Sequence, residues 1–233
     1  MTVYLPGNAP TDPPGKCDCC RKAGTDRCAT CGTSSYCSTT CFERDHHNHI
    51  DLCRDFDIYE KGDVYRPERK GLKVVRGILL AENSPKPCFI YVIFKHTLAG
   101  ELPIKFGGID DKLSQCIGEG NSQFARIDCN RSLGRALNYT IHIQYNGIDP
   151  EQDKAAPCRS LRKFVGKTKA AQRFKGTFIA WRIEGNLEQN KDKHPVVCDL
   201  DTTAMPAIID FFKWKMDYPD KDHADYRFVN DDK

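Results

Sequence analysis

Residues 17–53 read CDCCRKAGTDRCATCGTSSYCSTTCFERDHHNHIDLC, with the spacing Cys17-x2-Cys20, x7, Cys28-x2-Cys31, x5, Cys37-x3-Cys41, x7, His49-x3-Cys53. Four pairs offer eight ligands, enough for two tetrahedral zinc ions. In the first two pairs the tight C-x2-C turn points both sulfurs at one ion. In the last two, the x3 spacing sets the partners at i and i+4 on one face of a helix. Ser38 or Thr40 with Glu43 supplies a helix start where the third pair needs it. Cys19 falls outside the usual knuckle and reads as a bystander. His46 and His47 compete with His49, and the x3 spacing to Cys53 favours His49.

The same stretch holds little aliphatic material beyond Ile50 and Leu52. A segment of about 40 residues this poor in apolar side chains needs cross-links or metal to fold. Eight of the 13 cysteines of the chain lie in it. Disulfides would need export to an oxidising compartment. The leader Met1-Thr2-Val3-Tyr4-Leu5-Pro6 has neither a basic n-region nor an apolar h-region, so metal is expected, in an intracellular protein of nucleus or cytoplasm. No run approaches the ~18–20 apolar residues of a membrane span. With 39% hydrophobic and 29% charged residues the 233-residue chain reads as globular, not disordered.

The pattern resembles the MYND-type zinc finger, on Cys17, Cys20, Cys28, Cys31, the Tyr36-Cys37-Ser38 triplet, Cys41, Asp45, His49 and Cys53. Spacing alone leaves open whether the pairs combine sequentially or interleave. The resemblance implies interleaving, with Cys17, Cys20, Cys37 and Cys41 round one ion and Cys28, Cys31, His49 and Cys53 round the other. Every position round each ion is then filled by protein, which marks structural rather than catalytic zinc. The resemblance also implies a protein partner, because many such fingers dock short proline-containing peptides in a shallow groove. This chain departs from the family there. Phe42 stands where a Gln is usual, His46 where a Trp is, and Ile50 where a Lys is. Poor binding of the usual proline-containing motif is the expectation.

Beyond the finger the periodicity changes. Leu72, Val74, Ile78 and Leu80 alternate, and Cys88–Phe94 is a nearly continuous apolar run; both read as strands. Tyr139, Ile141, Ile143 and Tyr145 alternate with Thr140, His142, Gln144 and Asn146, which reads as a half-buried strand ending at the Asn146-Gly147 turn. Ile179, Trp181 and Ile183 repeat the signature, and Val196–Leu200 adds a short strand. Arg131–Leu137 reads as a short helix, and Cys158–Ala171 as one interrupted near Gly166. Thr202–Met216 reads as the strongest helix, capped by a Thr, with the stripe Met205, Ile208, Ile209, Phe212, Met216. The fold class is α+β: a small two-zinc finger, then a mixed strand and helix domain. The expected organisation is a flexible leader at 1–15, the finger at 16–54, a linker or helical extension at 55–70, the α+β domain at 71–220 and a polar tail at 221–233. The finger is expected to fold on its metal independently of the second domain.

Charge separates the halves. Residues 1–60 carry six Lys/Arg against nine Asp/Glu, and residues 61–233 carry 29 against 23. Seven ligand thiolates and two Zn²⁺ would take the finger from −3 to about −6, which repels phosphate. Lys154–Arg182 contains nine basic residues and no acidic one, with Phe164 and Phe174 interleaved. A nucleic-acid groove has this composition. So does a solvated face, or a patch that docks the acidic segment Asp199–Lys233, and nucleic acid is not favoured. The remaining histidines, His96, His142, His194 and His223, stand apart from any Cys, Ser or paired carboxylate. Asp201 precedes a helix and suits its N-terminal dipole. The glycines at 107–108 and 118–120 lack the strand and helix context of a phosphate loop. The Asn-His-Ser segment and cysteine-rich tail of MYND-containing lysine methyltransferases are missing, so the chain is read as a non-enzyme. The alternative is an unrecognised enzyme or RNA-binding module in the second domain, recruited to a partner by the finger.

Overall fold

Ser38 starts the longest helix of the protein. Its Oγ accepts the Cys41 N–H at 3.2 Å, and α1 runs from Thr39 to Glu60, past the expected end of the finger. The computed structural model describes residues 15–20, 22–68, 70–95, 122–146, 155–185 and 196–226. Residues 1–14 of the expected leader, residues 227–233 of the polar tail, Gly147 of the expected turn, the glycines at 107–108 and 118–120, and His96 and His194 lie outside them. Ahead of α1, the short strands β1 (Asp26–Arg27) and β2 (Ser35–Tyr36) pair antiparallel and close the knuckle turns.

The body is built on an antiparallel sheet. Its strands are β3 (Leu72–Leu80), β4 (Cys88–Lys95), β5 (Ser122–Asn130), β6 (Arg135–Asn146), β7 (Phe178–Glu184) and β8 (Val197–Cys198). They lie in the order β4-β3-β7-β6-β5, with β8 also on β7. Late in the chain yet central in the sheet, β7 is apolar on both faces. Phe178 and Ala180 face one core, Ile179, Trp181 and Ile183 the other. Close approach of β3 to β7 depends on Gly77, where a Cβ would stand 2.6 Å from the Ala180 carbonyl oxygen.

Three helical expectations meet the structure differently. The Cys158–Ala171 helix is α2 (Arg159–Val165), and it stops at Gly166, whose φ of 84° suits glycine. A 3-10 turn at Thr202–Ala204 leads into α3 (Met205–Asp217), but the cap is Asp201, whose side chain accepts the Thr203 N–H at 2.8 Å. The expected helix at Arg131–Leu137 is instead the tight turn between β5 and β6. Gly134 N–H closes it on the Arg131 carbonyl at 2.9 Å, and β6 already begins at Arg135. Local hydrogen bonds outcompete helix here: Asn130 Oδ1 accepts the Leu133 N–H, and Asp210 accepts those of Arg131 and Ser132. No sequence signal anticipated β5, because its inward residues Ala125, Ile127 and Cys129 make only a weak alternation.

The expectation of one wet face on β6 is also corrected. Thr140, His142 and Gln144 are as buried as Ile141 and Ile143, because they lie beside Ile183, Trp181 and Ile179 of β7 in a second apolar layer. The His142 ring lies 5.8 Å from that of Trp181, and neither ring nitrogen finds a hydrogen-bond partner among the described residues. Burial, then the charge of Arg126, pushes its pKa down to about 3. A depressed histidine binds its proton more weakly folded than unfolded. Its contribution to stability is therefore present above about pH 6.5 and lost as pH falls toward 3, by about 1.4 kcal/mol per unit. Urea titrations of wild type and His142→Leu should diverge in slope between pH 6.5 and 5, the variant being flatter. Parallel slopes would refute this.

On the first face, α2 and α3 cover the sheet, and α1 reaches β4 with its C-terminal half. Phe56 meets Phe89 at 5.8 Å, and Tyr59 donates to the Phe89 carbonyl at 2.7 Å. Arg76 of β3 lies 4.3 Å over the Phe56 ring and pairs with Glu60. Buried Cys17, Cys28, Cys31, Tyr36, Leu52 and Cys53 belong to the same apolar cluster as Ile78, Ile127 and Phe212. One apolar cluster therefore runs through both the finger and the body.

Candidate metal centre

Backbone turns aim the first four sulfurs. Gly32 N–H bonds the Cys28 carbonyl at 2.9 Å, Cys28 N–H the Ser34 carbonyl at 2.8 Å, and Cys17 N–H the Lys22 carbonyl at 2.9 Å. The last pair, His49 and Cys53, sits one turn apart on α1. The third pair differs from the expectation of two helical residues: Cys37 precedes the Ser38 cap, and only Cys41 lies in the first turn.

Two groups of ligand atoms result, each gathered within 4.8 Å. One holds Cys17, Cys20, Cys37 and Cys41; the other holds Cys28, Cys31, His49 and Cys53. This is the interleaved arrangement. In the first, Cys20 and Cys37 sulfurs stand 3.5 Å apart, and Cys37 and Cys41 sulfurs 3.6 Å. In the second, Cys28 and Cys53 sulfurs are 3.6 Å apart, and His49 Nε2 lies 3.3 Å from Cys28 and 3.7 Å from Cys31. A disulfide would need about 2.05 Å. A tetrahedron with metal–sulfur bonds of about 2.3 Å has edges of ~3.8 Å. The observed edges fit a tetrahedral ion and exclude bridges, so each cluster can hold one metal ion.

The two sites differ in burial. All four residues of the second are buried, whereas Cys20, Cys37 and Cys41 of the first are half-buried. Crowding makes the second cluster's proton affinities interdependent. The neighbouring Cys28, then Cys53, drives the Cys31 thiol far down against burial, and Cys28, then Cys31, drives Cys53 up. Burial alone would lower His49, but its bonds to Cys28 and Cys31 raise it to about 10. A metal ion binding here would displace the proton from His49 Nε2 and take the sulfurs as thiolates, so its binding releases protons.

Residues unforeseen in the sequence orient the second site. His49 Nδ1 lies 3.2 Å from Ser34 Oγ, which fixes the ring so that Nε2 faces the sulfurs. Ser34 Oγ in turn meets Thr202 Oγ1 at 2.8 Å, and Thr33 Oγ1 meets it at 2.7 Å. Thr33 donates to the Cys31 sulfur at 3.3 Å, and Thr202 Oγ1 is 3.6 Å from the same sulfur. A hydroxyl from the body therefore touches the finger's ligand set. Nothing near Thr202 in the chain announces this, since its partners are about 170 residues away. Tyr36 donates its hydroxyl to Asp45 at 2.8 Å, which braces α1 against β2. Beside Cys17, burial pushes the Asp18 carboxyl up to about 7, opposed by a Ser34 hydrogen bond and by Arg135.

Cys19, His46 and His47 join neither cluster. His46 packs edge-on against Phe42 at 5.3 Å, and Phe42 against Tyr36 at 5.4 Å. In the basic segment, whose Lys154 lies outside the described residues, Lys163 pairs with Asp51 of α1, Arg159 donates to the Asn83 carbonyl and Arg182 lies over Tyr139. No described helix is long and apolar enough to cross a membrane. Comparison of the chain with protein-family models, with curated proteins and with solved structures finds no match. The functional reading rests on these two ligand sets.

Proposed function

We propose that the two clusters hold structural zinc, that the finger is of MYND type, and that it serves the protein as a docking module for a protein partner. The observation that carries the zinc reading is the donor chemistry: four sulfurs in one site, three sulfurs and an imidazole in the other, at tetrahedral edge lengths. Soft thiolates with imidazole select zinc over the oxygen-seeking cations. Each set is complete without water, so neither site offers a place for substrate.

Docking is supported by surface and charge. The half-exposed Phe42 and His46 continue the aromatic row from Tyr36 along α1, at the positions where the resembling fingers bind peptide. A net charge near −6 with zinc disfavours phosphate-bearing partners. Elemental analysis should give two zinc ions per chain. Affinity capture with Phe42→Glu/His46→Glu, which leaves all eight ligands in place, should lose partners that the native chain retains. One zinc or none would refute the metal reading; identical captured sets would refute the docking reading.

A further inference from the structure

Away from the finger, between the end of α3 and the segment joining α2 to β7, lies an open cavity of about 990 Å³. Its size is at the upper end of the range for small-ligand sites. Half-buried Tyr145, Phe174 and Met216 give it an apolar floor, and the buried Ile143, Phe178 and Phe212 also line it. Lys169, Arg173, Lys175 and Lys215 line it together, and among the described residues no carboxylate does. His223 also faces it, and its buried Nδ1 finds no hydrogen-bond partner among the described residues. Lys215 already donates to the Pro219 carbonyl at 3.1 Å and to that of Lys221. Asp222, whose carboxylate accepts the Ala224 N–H at 2.8 Å, interacts electrostatically with Lys215 and His223 and counts against this balance.

We infer that this cavity binds a single-chain amphiphilic anion, its apolar body on Tyr145, Phe174 and Met216 and its carboxylate or phosphate head beside Lys169 and Arg173. An apolar floor alone would take any hydrophobe. A basic rim alone would take any anion and leave the floor wet. The two together suit a molecule that carries both parts, and the charge complementarity sets its orientation.

Nucleic acid fits less well. The lining phenylalanine rings already meet one another edge-on, Phe174 with Phe212 at 5.0 Å and 75°, Phe178 with Phe212 at 5.2 Å and 81°. Phe178 and Phe212 are 4% and 2% exposed, which leaves little open ring face for a base to stack on. The cations needed to track a longer backbone are held elsewhere, Lys163 by Asp51 and Arg159 by Asn83.

Calorimetry on the full chain, with dodecanoate and dodecyl phosphate below their critical micelle concentrations, tests the inference. One saturable site is expected for at least one of them. A preference for either names the head group, and equal binding means that a single negative charge suffices. The exposed pair Lys169→Glu/Arg173→Glu should weaken binding at least about tenfold. Met216→Trp, which fills the floor, should abolish binding while zinc content stays unchanged. Dodecyltrimethylammonium should not bind. Equal binding of that cation, indifference to both variants, or a short oligoribonucleotide binding where neither dodecyl anion does, would overturn the inference.

Discussion

Replacing His49 by Ala, or Cys28 by Ser, is expected to lower the melting temperature of the whole protein, not only to unfold residues 16–54. A structural zinc site contributes roughly 10–16 kcal/mol of apparent binding energy, and an entire domain is stable by only about 5–15 kcal/mol. The second site is coupled to the body by three routes. Thr202 bonds Ser34 and Thr33 behind the ligands. Asp51, between His49 and Cys53, pairs with Lys163 and Lys86 of the body. Leu52, Cys53 and Phe56 on the same helix turns belong to the common core. Circular dichroism should show loss of α1 together with a lowered transition of the sheet. Hydrogen exchange should show faster exchange in α3, whose N-terminus Thr202 leads. Thr202→Val keeps every ligand and should cost only about 1–3 kcal/mol, the price of leaving its partners unpaired. If the sheet of the His49 variant melts at the native temperature, the finger is autonomous and the coupling argument fails.

Asp210→Ala should be the most damaging single change away from metal, at about 3–5 kcal/mol in urea unfolding. This carboxylate is 8% exposed and stands on α3. It accepts the Arg131 N–H at 2.8 Å, the Ser132 N–H at 3.3 Å and the Ser132 hydroxyl, which together shape the β5–β6 turn. It also accepts the Tyr226 hydroxyl at 2.5 Å, and burial followed by this charge holds that phenol far above its ordinary pKa. Alanine would leave two amides and two hydroxyls facing an apolar space among Phe211, Trp214 and Tyr226. Tyr226→Phe removes only one of these bonds and should cost roughly 1 kcal/mol. A cost below about 1 kcal/mol for Asp210→Ala would mean that water replaces the carboxylate.

Much of the candidate metal centre was legible because its signals are local. The C-x2-C turns, the Ser38 cap and the i, i+4 pair of α1 each lie within a few residues, where backbone geometry leaves few choices. The strands at 72–80 and 178–184 were legible for the same reason, through alternating side chains, and that at 88–95 through its nearly continuous apolar run. β5 escaped because alanine and cysteine carry weak hydrophobic contrast. The turn at 131–134 was misread as helix because a carboxylate some 79 residues on, Asp210, satisfies its amides.

The amino-acid order alone determined the ligand types, their pairing into four local units, the absence of an adequate apolar core in residues 17–53 and the α+β class. All of these follow from neighbours in the chain. Combining the four units into two clusters was open to spacing, and folding settles it by laying the two halves of α1 beside different knuckles. Only the tertiary structure decided that β6 is dry on both faces, that Lys163 serves Asp51 while Lys169, Arg173 and Lys175 gather at a cavity, and that Thr202 reaches the finger's second site. Each depends on contacts between residues tens to hundreds of positions apart. Such contacts are selected by the packing of whole elements, because a polar side chain's environment is set by what the rest of the chain lays against it.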